Sequence, residues 1–167
     1  MTAPSKYPLA QLVRIKQRRL EEAEKELRRR RTVLDEETDK YRRLEESKNE
    51  TLRHKEEKLD KLRTELDEGT TSDKIDRAHK YIDVVDEELE AKEKKVSDQH
   101  KAVETARGRV EEARRDVIGK ERDMEKLRMH RREWEKEMKA LQEYEAGIET
   151  DEIGNVMHNV RRFKREG

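Results

Sequence analysis

Leu66-Asp67-Glu68-Gly69-Thr70-Thr71-Ser72-Asp73 is the one stretch of the 167-residue chain where helix breakers cluster in the interior. It reads as a helix stop followed at once by a helix start. Gly69 suits the left-handed position just past a helix C-terminus. Thr71 or Ser72 suits the N-cap of a second helix, with Asp73 and Asp76 favourable in its first turn. Both prolines, Pro4 and Pro8, lie near the N-terminus, so nothing breaks the chain on either side of this turn.

The apolar spacing on each side is that of a coiled coil. After the turn, steps of seven run Ile75, Ile82, Leu89, Val96, Val103, Val110, Val117, Met124, Arg131 and Met138. The companion steps run Ala78, Val85, Lys92, Gln99, Ala106, Ala113, Lys120, Leu127, Trp134, Leu141 and Ile148. Before the turn the series is Leu20, Leu27, Leu34 and Tyr41, then Leu52, Leu59 and Leu66, supported by Ala23, Leu44 and Leu62. The longer step from Tyr41 to Leu52 predicts a stutter there. A 3.5-residue period implies a left-handed coiled coil.

So short a turn makes the two helices antiparallel neighbours. The expected fold class is all-α: two long helices in an antiparallel coiled-coil hairpin, with a short C-terminal tail. The expected segments are an irregular leader at 1–8, helix one at 9–67, the turn at 68–72, helix two at 73–149 and a basic tail at 150–167. Facing residue numbers then sum to roughly 140, and helix two overhangs helix one by about 18 residues. Trp134, Met138 and Leu141 fall in that overhang and are expected to be exposed. The overhang is either covered by the tail folding back or offered to a partner.

Composition agrees with a one-stripe core. Charged residues make up 50% and apolar residues 30% of the chain, too few apolar groups for a thick globular core. Lys and Arg number 42 against 42 Asp and Glu, and that balance argues against a nucleic-acid binder. Cysteine is absent, which removes disulfides and thiolate metal sites. No apolar h-region and no stretch near 18 apolar residues is present, so neither a signal peptide nor a membrane-spanning helix is expected.

Nothing in the sequence points to catalysis. His54, His79, His100, His130 and His158 are scattered and read as surface histidines. Asp76 and His79 could mimic half of a helical carboxylate–histidine metal pair, but no second motif accompanies them. Phosphate-binding glycine loops, the metalloprotease His-Glu motif and the G-x-S-x-G elbow are all missing. No enzyme activity, cofactor or metal is expected. What stands out is charge placement. Residues 1–34 carry ten Lys and Arg against four Glu, while Asp83–Glu90 is acidic. Arg28, Arg29, Arg30 and Arg31 form one basic cluster, and Arg128, Arg131 and Arg132 another; both fall toward the open end in the expected register. They read either as a solvated face or as a plug for an acidic socket. Tyr81 and Val84 flank the stripe residues Ile82 and Val85, and read either as a thicker hairpin end or as a partner patch.

The chain also resembles a known family. The resemblance rests on Tyr7-Pro8-Leu9 followed by Val13 and Ile15-Lys16, on the turn quoted above, and on Tyr81-Ile82 with Val84-Val85. Arg128, His130-Arg131, Glu133-Trp134 and the later Glu152-Ile153-Gly154-Asn155 continue it in order. These residues are similar to those of the YscO/FliJ stalk proteins of type III secretion systems, above all the chlamydial-type members. The resemblance implies a monomeric cytoplasmic stalk, similar to the central shaft of a rotary ATPase, at the cytoplasmic face of the inner-membrane secretion apparatus. Its open end would enter a hexameric secretion ATPase, and its turn end would face the export gate protein; secretion chaperones are further implied partners. Carried onto this chain, the ATPase contact falls on Arg28–Arg31, Arg128, Arg131 and Arg132. The gate or chaperone contact falls on Tyr81, Ile82, Val84 and Val85. A structural coiled-coil tether that self-associates through the overhang is the alternative.

Overall fold

The computed structural model describes residues 6–165. Pro4 of the expected leader lies outside them. Two helices make up the fold, α1 (Ala10–Glu68) and α2 (Ser72–Arg165). Gly69 takes φ 86°, the left-handed conformation the turn requires. Its amide donates to the Leu66 carbonyl at 3.3 Å. The Thr71 carbonyl accepts from Ile75 at 3.3 Å, which places Thr71 at the N-cap of α2.

The chain divides into two compact units: the described parts of Met1–Glu21 and Ile118–Gly167, and the segment Glu22–Val117. Within each, the helices run antiparallel. In the first unit Lys16 Nζ meets Asp123 Oδ2 at 2.8 Å. In the second, Lys92 Nζ donates to Thr51 Oγ1 at 2.7 Å, and Lys55 pairs with Asp86. These partners hold the expected register within a few positions.

The seam of α2 follows the sequence pattern closely. From Ile75 to Leu127 every position of the two seven-residue series is buried or half-buried, including Lys92, Gln99 and Lys120. The seam of α1 departs from expectation. It keeps the 3-4 phase past Tyr41 through Leu44, Lys48, Thr51 and Lys55, then shifts by one residue to Leu59 and Leu62. The stutter therefore lies between Thr51 and Leu62. Leu52 and Leu66, expected in the stripe, are exposed. Polar residues hold the seam here because their heads find partners: Lys92 lies between Thr51 and the Glu88 carboxylate, at 2.7 and 2.9 Å. A half-buried cation tolerates the seam when it is so satisfied.

Two segment boundaries also change. Helix α2 does not end at Glu149 but continues to Arg165, so the C-terminal tail is helical over its described part. Thr150 Oγ1 donates to the Ala146 carbonyl at 2.8 Å, the back-bond of a threonine inside a helix. With no proline nearby, Gly147 and Gly154 weaken the helix without stopping it. The leader, for its part, is docked. The Ala10 amide donates to the Tyr7 carbonyl at 3.2 Å, closing a turn with Pro8 at its second position, where its fixed φ fits.

Candidate functional site

In the segment Glu22–Val117, the four near-turn residues separate into two kinds. Val85 is 4% exposed and Ile82 is half-buried, because both point into the seam against α1. That corrects the assignment of Val85 to a partner surface, since it is already covered, while Ile82 keeps part of its side chain accessible. Val84, one residue away, is 63% exposed. Tyr81 lies across the edge of the seam. Its hydroxyl is 2.6 Å from His54 Nε2, and Lys58 Nζ stands 5.6 Å from its ring centroid. Tyr81 is thus anchored to α1 while one side of its ring stays open to solvent. Tyr81 and Val84, with the open part of Ile82, are what these four residues offer a partner.

The same unit carries Arg28–Arg31. Arg30 Nε binds Glu26 Oε1 at 2.7 Å, and Arg29 lies 3.6 Å from the same carboxylate. Arg28 and Arg31 are exposed and make no ion pair among the described residues. Deeper in the seam, Gln99 Nε2 donates to the Glu37 carbonyl at 3.0 Å and also reaches its carboxylate. The Lys40 ammonium, and then Gln99, hold the Glu37 carboxyl below its usual range. Burial, then the nearby Glu45 carboxylate, push the Tyr41 phenol upward.

The other unit holds Arg128, Arg131 and Arg132. Arg131 Nε binds Glu135 at 2.8 Å, and its guanidinium lies 5.9 Å from the Tyr7 ring centroid. Arg128 approaches Glu125 at 3.5 Å, and Arg132 is exposed. The two arginine clusters belong to different units.

Trp134 is not exposed as expected. Tyr7 packs edge-on against it at 5.4 Å between centroids, and the Tyr7 hydroxyl reaches His130 Nδ1 at 2.8 Å. Trp134 and Met138 are half-buried; Leu141 is exposed. The overhang is capped at its base by the leader and not by the tail. Sequence reasoning missed Tyr7 as part of this cluster. The signal was present: a register near 140 sets residue 7 opposite the turn of α2 that carries His130 and Trp134.

Among the described residues no group of three or more His, Asp or Glu could hold a metal ion, and no helix is long and apolar enough to cross a membrane. Two antiparallel helices joined along a heptad seam, with charged outer faces, define a coiled-coil hairpin protein. The chain belongs to the YscO-like family, whose model, described as YscO-like protein, matches residues 4–164. This is a structural protein family associated with type III secretion. Among solved structures, that of a proposed YscO homolog, CT670 of Chlamydia trachomatis, is similar at 34% identity and a TM-score of 0.86. The match covers 95% of this chain and 98% of that one. No curated protein matches the chain.

Proposed function

We propose that this protein is a non-enzymatic stalk of a type III secretion system, coupling the cytoplasmic secretion ATPase to the export gate and handling export chaperones. The observation that carries this reading is the structural match to a proposed YscO homolog, at a TM-score of 0.86 over 95% of this chain. In this reading the stalk is a monomer at the cytoplasmic face of the inner-membrane apparatus. Arg28–Arg31, Arg128, Arg131 and Arg132 approach the hexameric ATPase. Tyr81 and Val84, with the half-buried Ile82 beside them, face the gate or a chaperone, since these are the near-turn residues of that stretch left accessible.

The arginine contact is electrostatic, so it acts mainly on orientation and on-rate. Charge reversal of Arg28–Arg31 is expected to weaken ATPase binding and lower its stimulation, while circular dichroism keeps the helical signal. The difference from wild type is expected to shrink as salt rises, because exposed charges are screened beyond about 8 Å at physiological ionic strength. Unchanged binding at low salt would remove these arginines from the contact. Failure to bind the ATPase at all, with concentration-dependent self-association in sedimentation, would favour a structural tether.

A further inference from the structure

Beside the turn, within the segment Glu22–Val117, the helices leave a shallow groove of about 240 Å³. Its floor is apolar, made by Leu62, Ala78 and Ile82. Its walls carry Lys58 and Lys61 from α1 and Arg77 and Tyr81 from α2, against a single carboxylate, Glu65. Some cations on these helices are matched within one turn, as in Arg42–Asp39 and Arg107–Glu104. Among the described residues neither Lys61 nor Arg77 makes an ion pair, and Lys58 stands over the Tyr81 ring. Three cations against one carboxylate make the lining of this groove locally positive over an apolar floor, which suits an incoming counter-charge.

We propose that this groove receives an acidic protein segment carrying one apolar side chain. The proposal rests on the reading of Tyr81 and Val84 as the gate or chaperone contact, and it names the chemistry of what binds there. The volume decides the size of the occupant. Small-molecule sites usually exceed about 300 Å³ and enclose their ligand. This groove is smaller and open, and fits one apolar side chain laid between the helices. The cations at its rim then meet carboxylates on the neighbouring turns of the incoming segment. Arg77, Tyr81 and Val84 are spaced four and three residues apart, so they share one stripe of α2. The exposed Val84 therefore adds an apolar group one turn beyond Tyr81 on the α2 wall of the groove. The open side of the Tyr81 ring, held in place by His54 and Lys58, is a rigid amphipathic contact of the kind enriched at interface centres.

The test uses the full chain and a dye-labelled peptide of glutamates around one central leucine. Fluorescence anisotropy is expected to show binding, and backbone amide shifts are expected to move at Leu62, Ala78, Tyr81 and Val84. A Lys58→Glu, Lys61→Glu double variant is expected to weaken binding by about tenfold or more, as is a peptide with glutamine for glutamate. Val84→Ser is expected to matter only for the leucine-bearing peptide. Lys94→Glu with Lys95→Glu, on an exposed face further along α2, is the control and is expected to change little. Equal loss in that control, or binding indifferent to the groove charges, would overturn the proposal. Capture of a gate or chaperone protein is scored separately. Capture that survives Lys58→Glu, Lys61→Glu overturns the groove. A groove that binds the acidic peptide while no gate or chaperone is captured stands, and it is then the proposed gate or chaperone contact that falls.

Discussion

The Tyr7 hydroxyl lies 2.8 Å from His130 Nδ1, across 123 positions of sequence. The ring is 8% exposed and sits edge-on to Trp134. A residue that precedes the first helix therefore closes the base of the overhang. It does so with an aromatic pair, a hydrogen bond and the stacked guanidinium of Arg131.

Tyr7→Ala is expected to cost about 2–3 kcal/mol locally, from lost burial and the lost aromatic pair. Tyr7→Phe keeps the ring and is expected to cost about 1 kcal/mol, the worth of an ordinary hydrogen bond. Trp134 is the only tryptophan, so its fluorescence reports this site alone. Its emission is expected to shift red in Tyr7→Ala and to stay near wild type in Tyr7→Phe. Unchanged emission in Tyr7→Ala would mean that Tyr7 does not cover Trp134.

Much of this architecture was legible in the sequence. The turn follows from Gly69 and Thr71, and the α2 seam follows because each apolar step is local and repeats. Apolar periodicity alone puts the α1 stutter between Tyr41 and Leu52, ahead of its place in the fold. Thr51 and Lys55 keep the seven-residue phase through side chains whose polar heads are satisfied, which hydrophobic periodicity cannot see. Helix α2 runs past Glu149 to Arg165, because Gly147 and Gly154 weaken a helix without forbidding it. Tyr7 was missed for a different reason. Its role depends on a partner 123 positions away and on no local pattern. At the near-turn surface, the heptad phase already separates Val85 from Val84, while the hold of His54 and Lys58 on Tyr81 needed coordinates.

Asp123 gives the fold a pH dependence of known sign. The Lys16 ammonium, by hydrogen bond and then by charge, holds its carboxyl below the ordinary value of 3.8. A carboxylate whose pKa is lowered on folding contributes stability that is present above the unfolded value. That stability is lost as pH falls through the folded one. Lys16→Gln removes the partner. By nuclear magnetic resonance the Asp123 midpoint is expected to rise toward 3.8 in that variant. The difference in melting temperature between wild type and Lys16→Gln is expected to be present near neutral pH and to vanish in strong acid. A difference that persists in strong acid would mean that Lys16 acts through packing of its alkyl stem.

Two glycines are expected to respond with opposite sign. Gly69 holds φ 86°, so Gly69→Ala forces a Cβ into a left-handed backbone at a cost of about 1–2 kcal/mol. Gly108 lies inside α2, and a Cβ added there meets nothing within 4 Å. Gly108→Ala is expected to stabilise by about 0.5–1 kcal/mol through helix propensity and the entropy of the unfolded chain. Thermal melts of the two variants beside wild type check both signs. A destabilised Gly108→Ala would point to a partner helix approaching closely at that position.

The last pair separates seam from surface one residue apart. Val85 is 4% exposed, so Val85→Ala removes buried methyl groups from a narrow core and is expected to cost about 1–3 kcal/mol. Val84 is 63% exposed, and Val84→Ala is expected to stay within about 0.5 kcal/mol. Tyr81→Phe breaks the bond to His54 while keeping the ring, and is expected to cost about 1 kcal/mol. The functional outcomes run the other way. A Val84→Ser, Tyr81→Ser double variant is expected to lose secretion and contact with the gate or chaperone at a temperature where circular dichroism shows it folded. Val85→Ala is expected to secrete normally at any temperature below its own melt, because it touches the seam and no partner. Secretion that tracks melting temperature across all of these variants would make the near-turn surface structural only. The gate or chaperone contact would then have to lie on another face of the hairpin.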